Sequence, residues 1–386
     1  MTDAVAVKDA PEAPTKKRVS FNSLAVSELR NLTDDSVEVT FEVPADLVED
    51  YDYIPGQYVA LRATIDGQEV RRSYSICDVP RPGVIRVAIK KTFGGLFSTW
   101  ANEELKVGDV IDVMNPQGAF TSKVHVTGLN NPEEVAAQGY KHIVAFAAGS
   151  GITPIMAIAQ SFLAASEDNT LELVYANKGA SDVMFAEELG DLKDRYPNRF
   201  AAHHVLSREN RINPLFTGRI DQEKLQTLLD KVLNASNVDE WFLCGPFDLV
   251  QLCRDTLSER GVDPSQVRYE LFTTGEKPEN NTGRLIVVDP GDEVYEISFH
   301  LDGLSGSIQS PVSAHETILN AALRSRPDVP YACAGGVCGT CRAKVTEGEF
   351  EMDENYALEP EEVEQGYVLT CQTRPKSSHI SVDFDA

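Results

Sequence analysis

A chain of 386 residues with 42% apolar residues is long enough for roughly two to four domains, each with its own core. Its net charge of −25 excludes a nucleic-acid binder, which needs clustered Lys and Arg to meet phosphates, and suits a partner that is neutral or basic at the contact. No apolar run reaches the roughly 18 residues of a membrane helix, and residues 1–18 are polar, without the apolar stretch of a secretory signal. A cytoplasmic protein with a disordered N-terminal tail and no membrane contact is expected.

From Val19 to about Gly128, short alternating apolar runs such as 37–41 and 58–61 are separated by turn residues. That pattern predicts an antiparallel barrel or sandwich, with one helix over 98–105. From His142 to Phe272 the pattern changes. Apolar runs at 143–148, 171–175, 204–206, 241–243 and 267–271 read as strands. Helical periodicity fills the intervals at 184–196, 222–233 and 249–260, which predicts a doubly wound α/β unit with a parallel sheet. The polar stretch 275–281 reads as a linker. The last block opens with strands over 285–288 and 296–301 and a helix over 315–324, then enters a cysteine loop. The expected divisions are a tail (1–18), a barrel (19–128), an α/β domain (139–273), a linker (274–283) and a C-terminal domain (284–386).

Seven cysteines, four of them between positions 333 and 371, point in a non-secreted chain to metal or redox use rather than disulfides. Cys333, Cys338 and Cys341 give C-x4-C-x2-C, with Cys371 following after 29 residues. This is the spacing of a plant-type [2Fe–2S] site, in which one loop supplies three thiolates and a later strand end the fourth. The loop has to wrap an anionic cluster with its N–H groups inward, and Gly335, Gly336 and Gly339 can take the positive φ angles this demands. The alternative is a zinc ribbon or structural thiol cluster. Zinc ribbons favour paired C-x2-C units, and the second pair is missing. Cys77 and Cys253 read as packing residues. His203 and His204 are strand neighbours facing opposite ways, so they cannot share a metal.

Four further motifs precede the cysteine loop. In Arg72-Ser73-Tyr74-Ser75, alternation puts Arg72 and Tyr74 on one face, a guanidinium for a pyrophosphate and a ring for a flavin. The alternative is a surface Arg beside a core Tyr. Gly94-Gly95-Leu96-Phe97-Ser98 sets glycines at a helix start, where N–H groups and the helix dipole meet a phosphate; the alternative is a plain turn and cap. Gly149-Ser150-Gly151-Ile152-Thr153-Pro154 follows an apolar strand and opens a helix, the βα phosphate turn of a dinucleotide fold with Pro154 at the third glycine position. Cys244-Gly245-Pro246 ends a later strand of the same sheet, whose carboxyl ends converge on one crevice; as an alternative, Cys244 is a small buried apolar residue.

Together these motifs resemble the ferredoxin–NADP reductase superfamily. With a plant-type ferredoxin following, the order resembles reductase components of bacterial oxygenases, from about Val19 to Asp385. Within that group, Val70-Arg71-Arg72-Ser73-Tyr74-Ser75-Ile76-Cys77, His204-Val205-Leu206-Ser207-Arg208-Glu209, Glu240-Trp241-Phe242-Leu243-Cys244-Gly245-Pro246-Phe247 and Tyr269-Glu270-Leu271-Phe272 are most similar to reductase subunits of phenylacetyl-CoA epoxidases. Reductases of 3-ketosteroid 9α-hydroxylases, which serve a Rieske-type oxygenase, share the domain order and a similar Cys371-Gln372-Thr373-Arg374-Pro375 ending.

The resemblance implies a Greek-key flavin barrel, a nicotinamide-nucleotide domain and a β-grasp ferredoxin. It implies FAD held by Arg72, Tyr74 and Ser75, with Ile89, Gly95, Leu96, Phe97 and Ser98 around the ring and pyrophosphate. Gly149, Gly151, Thr153 and Pro154 would hold the nucleotide, with Cys244, Gly245 and Pro246 at the crevice and Cys244 near the nicotinamide. Ser207 and Arg208 match the grip on a 2′-phosphate, favouring NADPH over NADH, with Lys178 as a helper; the alternative is an exposed polar strand end. Glu270 and Phe272 would border the flavin. Tyr74, Ser75, Cys244 and Glu270 thus stand nearest the reaction. Ala334 stands where many relatives carry arginine, which touches the potential or loop polarity and not ligation.

The implied function is that of a flavin- and iron–sulfur-dependent oxidoreductase. NADPH (or NADH) gives a hydride to the flavin, and single electrons leave through the cluster to an oxygenase. The nine acidic residues between Glu347 and Glu364, uninterrupted by Lys or Arg, are expected to form part of the docking surface for that oxygenase, the alternative being a solvated face. A redox-sensing module that carries a cluster is the reading from a different class.

Overall fold

The computed structural model describes residues 19–122, 141–272 and, within 286–386, all except 287, 289–290, 302, 327–328, 332 and 359. The expected tail and linker, and residues 285 and 287 of the expected 285–288 strand, lie outside the described residues, while 286 and 288 are described and lie in no strand.

The first unit is one six-stranded antiparallel sheet of β1 (Phe21–Thr33), β2 (Ser36–Glu42), β3 (Tyr58–Ile65), β4 (Gln68–Ser75), β5 (Val84–Lys90) and β6 (Val110–Met114), in the order β4-β3-β6-β1-β2-β5. A bridge between Ile76 and Val87 joins its two edges, so the sheet curls into a barrel and leaves no open edge there. Val39, Phe41, Val59, Leu61, Ile85, Val87 and Ile89 fill the interior. Helix α1 (Leu96–Glu103) closes one end through Phe97 and Ala101. It begins two residues earlier than the periodicity indicated.

The second unit is a parallel sheet of β7 (His142–Ala148), β8 (Thr170–Asn177), β9 (Phe200–Leu206), β10 (Glu240–Gly245) and β11 (Val267–Leu271), ordered β11-β10-β7-β8-β9. Successive residues of β7 feed opposite faces. Ile143, Ala145 and Ala147 pack with α2 (Ile152–Ala165) and α3 (Ala186–Arg195), whereas Val144 and Phe146 pack with α4 (Gln222–Lys231) and α5 (Phe247–Glu259). The strand order reverses between β7 and β10, the switch point where such sheets bind ligands.

The third unit is the mixed sheet of β12 (Val294–Leu301), β13 (Leu304–Pro311), β14 (Arg342–Glu347), β16 (Tyr367–Leu369) and β18 (His379–Asp383), in the order β13-β12-β18-β14-β16. A two-stranded ribbon of β15 (Phe350–Met352) and β17 (Thr373–Pro375) accompanies it. Helix α6 (Ile318–Ser325) lies on this grasp-like sheet with Ile318, Leu319, Ala321 and Ala322 buried. The expected start at 315 is corrected: His315 has φ +50, and the Thr317 hydroxyl accepts the Asn320 N–H as the true cap.

A flavin strand, a nucleotide crevice and a thiol loop meet at one junction

On β4, Arg72 and Tyr74 point the same way. Tyr74 lies 5.7 Å from Phe97, centroid to centroid, at the edge of the barrel core. Arg72 is exposed, donates from Nη1 to the Arg71 carbonyl (2.6 Å) and has no acidic partner among the described residues, leaving its charge for an anion. The Ser98 hydroxyl accepts the Thr92 N–H (3.0 Å) and donates to the Gly95 carbonyl (3.4 Å), fixing the turn before α1. A Cβ at Gly95 would stand 2.7 Å from that hydroxyl. No side chain caps α1, so its first N–H groups are available to a pyrophosphate. Ile89 and Phe97 are buried in the barrel, so Ile89 can meet a flavin through its backbone only. Leu96 is partly exposed beside them.

The crevice expected to take the nucleotide is built by close backbone approach. A Cβ at Gly151 would lie 2.2 Å from the Cys244 carbonyl oxygen, and one at Gly245 would lie 3.0 Å from Ala148 Cβ. These glycines therefore let the ends of β7 and β10 converge. Gly149 has φ +54, and its carbonyl accepts the Tyr175 hydroxyl (3.0 Å). Thr153 Oγ1 donates to the Ser150 carbonyl (3.0 Å), and Pro154 is buried in the first turns of α2. Pro246 caps α5. At the far side, Ser207 N donates to Asn177 O (2.9 Å) and Arg208 N to Lys178 O (2.8 Å), which brings the exposed Arg208 and Lys178 to adjacent strand ends. Replacing Gly151 with alanine is expected to cost about 2–3 kcal/mol, because the new methyl meets backbone rather than a movable side chain. It should also weaken binding of the nicotinamide coenzyme; thermal melting and coenzyme titration check both.

The two sites touch. Ser75 Oγ donates to Glu270 Oε2 (3.0 Å) across the barrel–sheet boundary, and Glu270 stands beside Cys244 in the parallel register. Burial pushes the Glu270 carboxyl up to about 7, against the Ser75 hydrogen bond. Burial also pushes the Cys244 thiol well up, so it is a neutral wall of the site and no nucleophile. Phe272, partly exposed, ends the described part of this edge.

The four loop cysteines fit two irons. Cys341 and Cys371 are buried in the core of the third unit, whereas Cys333 and Cys338 lie on the loop facing the other two. The thiols fall into two interacting pairs, Cys333 beside Cys338 and Cys341 beside Cys371. The Cys338 thiol is pulled down to about 6 by its interaction with the Cys333 thiol and by the Thr340 hydroxyl. No three of these sulfurs lie within 4.8 Å of one another. A single tetrahedral zinc, with Zn–S of about 2.3 Å, needs all four sulfurs roughly 3.8 Å apart; two pairs of thiols suit one iron each. Gly336 and Gly339 have positive φ, but Gly335 does not. Ala334 takes φ +52 in its stead, a correction to the expected glycine pattern. Cys77 and Cys253 are buried packing residues.

What the motifs did not reveal is how the third unit docks. Val337, at the loop's tip, is buried among Val250 and Leu271 of the parallel-sheet unit. Arg71, 4% exposed, sets its guanidinium 4.7 Å from the Tyr331 ring and donates to the Val329 carbonyl (3.4 Å). The Tyr58 hydroxyl reaches the Cys338 carbonyl and Thr340. Residues 58 and 71 thus carry the thiol loop on the strand pair that bears Arg72 and Tyr74.

Residues 23–122 match the oxidoreductase FAD-binding domain, 146–255 the oxidoreductase NAD-binding domain and 300–376 the 2Fe-2S iron-sulfur cluster binding domain. The fold and these sites define a flavin- and iron–sulfur-dependent NAD(P)H oxidoreductase. The chain is 40% identical over 367 residues to one of the subunits of the 1,2-phenylacetyl-CoA epoxidase of Escherichia coli (strain K12), covering 95% of this chain and 98% of that one. It is 31% identical over 365 residues to the 3-ketosteroid-9-alpha-monooxygenase ferredoxin reductase component of Rhodococcus rhodochrous, covering 94% and 96%. The solved structure of phthalate dioxygenase reductase shares the fold, with TM-score 0.56 at 20% identity, over 94% of this chain and 98% of that one. The chain belongs to the family of ferredoxin reductase components that join FAD-binding, NAD-binding and C-terminal [2Fe–2S] domains within the ferredoxin–NADP reductase superfamily. Among the described residues no helix is long and apolar enough to cross a membrane.

Proposed function

We propose that this reductase takes a hydride from NADPH onto FAD and passes single electrons through a [2Fe–2S] cluster on Cys333, Cys338, Cys341 and Cys371 to the oxygenase of a phenylacetyl-CoA epoxidase system. The supporting observation is one run of contacts. Cys244 neighbours Glu270, Glu270 bonds Ser75, and Tyr58, opposite Ser75 in the β3–β4 register, bonds the cysteine loop. The 40% identity over 95% of the chain supports the choice of oxygenase. The domains follow as 19–128, 139–273 and 284–386, in a cytoplasmic setting that keeps the thiolates reduced.

Bound FAD supplies the conversion between two-electron and one-electron transfer. The chain's own residues do the rest. Arg72 and the open N-terminus of α1 hold the pyrophosphate, and Tyr74 covers the ring. The Gly149–Gly151 turn, with Thr153 and Pro154 behind it, receives the nucleotide, and Cys244 walls the crevice where the nicotinamide enters. Arg208, helped by Lys178, grips the 2′-phosphate. Replacing Arg208 with alanine is expected to raise KM for NADPH about tenfold, the worth of one charge-assisted hydrogen bond, and to leave KM for NADH unchanged; steady-state kinetics with both coenzymes checks this.

The acidic segment is the proposed docking face. Glu351, Asp353 and Glu362 are paired with Lys376, Arg374 and Arg342. Glu349, Glu354, Glu361 and Glu364 are exposed and have no cationic partner among the described residues. The test is reconstitution: with the oxygenase components of the Escherichia coli epoxidase and phenylacetyl-CoA, NADPH should be consumed in step with epoxide formation, and added salt should slow transfer. Turnover with a 3-ketosteroid 9α-hydroxylase oxygenase alone would overturn the choice of partner, and salt-independent transfer would remove the docking face.

A further inference from the structure

We propose that Tyr58, a residue of the flavin barrel, tunes the reduction potential of the [2Fe–2S] cluster in the neighbouring domain by competing with the Cys338 sulfur for the single hydroxyl proton of Thr340. The inference rests on the cluster assignment above and adds to it a role for a residue outside the cysteine loop.

Tyr58 is held rigidly. Its backbone exchanges hydrogen bonds with Gln117 (2.8 and 2.9 Å), and its ring packs with Ala60 and Met114 against Cys338. Gly118, at φ +112, leaves room for that ring, because a Cβ there would stand 2.9 Å from Tyr58 Cδ1. Both Tyr58 and Thr340 are buried, at 4% and 6% exposure, so water does not substitute for either hydroxyl.

The protons can be assigned by counting. Tyr58 Oη lies 2.5 Å from the Cys338 carbonyl oxygen. That oxygen only accepts, so the contact carries the Tyr58 proton. Thr340 Oγ1 then has one proton and two acceptors within reach, Tyr58 Oη at 2.8 Å and Cys338 Sγ at 3.1 Å. Whatever share goes to the tyrosine is withheld from the sulfur. A hydrogen bond to a ligand sulfur favours the more negatively charged, reduced cluster and so raises its potential. Tyr58 therefore holds the potential below the value that Thr340 alone would set. It does so from a position opposite Ser75 in the β3–β4 register, at the flavin edge from which the electrons come.

The test begins with iron and sulfide content, which judges the cluster assignment independently: a chain that holds no cluster sinks that reading. With loaded protein, the midpoint potential is measured by dye-coupled titration with EPR detection for wild type, Tyr58→Phe, Thr340→Val and the double variant. Tyr58→Phe should shift the reduction equilibrium upward by up to about tenfold, equivalent to about 59 mV for one electron. Thr340→Val should lower it, and the double variant should match Thr340→Val. An unmoved potential in Tyr58→Phe, or an equal upward shift in the Thr340→Val background, overturns the proposal. If Thr340→Val does not hold its cluster, Fe–S stretching frequencies in D2O decide: the isotope shift should grow in Tyr58→Phe relative to wild type, and an unchanged shift overturns the proposal.

Discussion

The Cys371→Ala protein is expected to bind flavin and be reduced by NADPH as the wild type is, yet to lose its iron and pass electrons to cytochrome c more than about a hundredfold more slowly. Even substitutions beyond the ligands cost up to about a hundredfold in metal affinity, and this one removes a proposed ligand. Cys371 is 5% exposed beside the fully buried Leu369 and Thr370. Thr370 ties its strand to the other inner ligand, donating from both N and Oγ1 to the Cys341 carbonyl (3.1 and 2.9 Å). The flavin side should be spared because the barrel core and the α2–α3 face of the parallel sheet are separate from the core containing Cys371, while the other face of that sheet takes the loop tip at Val337 rather than Cys371 itself. Iron analysis, the cluster's visible absorption and a stopped-flow comparison of flavin and acceptor reduction check the result. Iron retained at two per chain would remove Cys371 from the ligand set.

The three-unit architecture and the thiol loop were legible because their determinants are local. Alternation with period two, helical periodicity between apolar runs, and cysteine spacing all act over a few residues. Where local signals conflict, boundaries slipped. The strand expected at 204–206 extends back to Phe200, across Ala201 and Ala202, which suit either structure. The helix expected at 315 begins only after Thr317, because His315 is in the left-handed region. For Ala334 the sequence points to potential or loop polarity, yet it also takes a backbone angle that favours glycine. The docking of the third unit was not legible. Tyr58 and Thr340 are 282 residues apart in sequence, and no periodicity encodes such a meeting. Tyr175 was hidden for another reason. It sits inside a buried apolar run and reads as core, although its hydroxyl fixes the Gly149 carbonyl.

Glu270→Gln is expected to stabilise the protein above neutral pH and to remove an inflection near pH 7 from the rate of electron exit. Glutamine keeps an acceptor for the Ser75 hydroxyl while discarding the charge. The Glu270 carboxyl titrates at about 7 against a reference of 4.5, raised first by burial, with the negative charge at Cys338 adding to it; an anionic cluster there acts in the same sense. A raised carboxylate opposes folding. Below pH 4.5 both folded and unfolded chains are protonated and the site costs nothing. Between 4.5 and 7 the unfolded chain gives up its proton while the folded one keeps it, so stability falls as pH rises, and above 7 the loss is complete. The full shift corresponds to about 3 kcal/mol, and the partial exposure of Glu270 brings the expected gain at pH 8 to about 1–3 kcal/mol, with none at pH 4. The reaction itself releases one proton for each hydride once both electrons have left. Glu270 is the titratable group bonded to Ser75 at this junction, and near neutral pH it can accept that proton. With glutamine, exit to the cluster should slow about tenfold at pH 8, where the wild-type carboxylate is free to accept, and differ little at pH 6. Denaturant melts across pH and single-turnover stopped flow make the two measurements; a variant that keeps the inflection near pH 7 would take Glu270 out of the proton path.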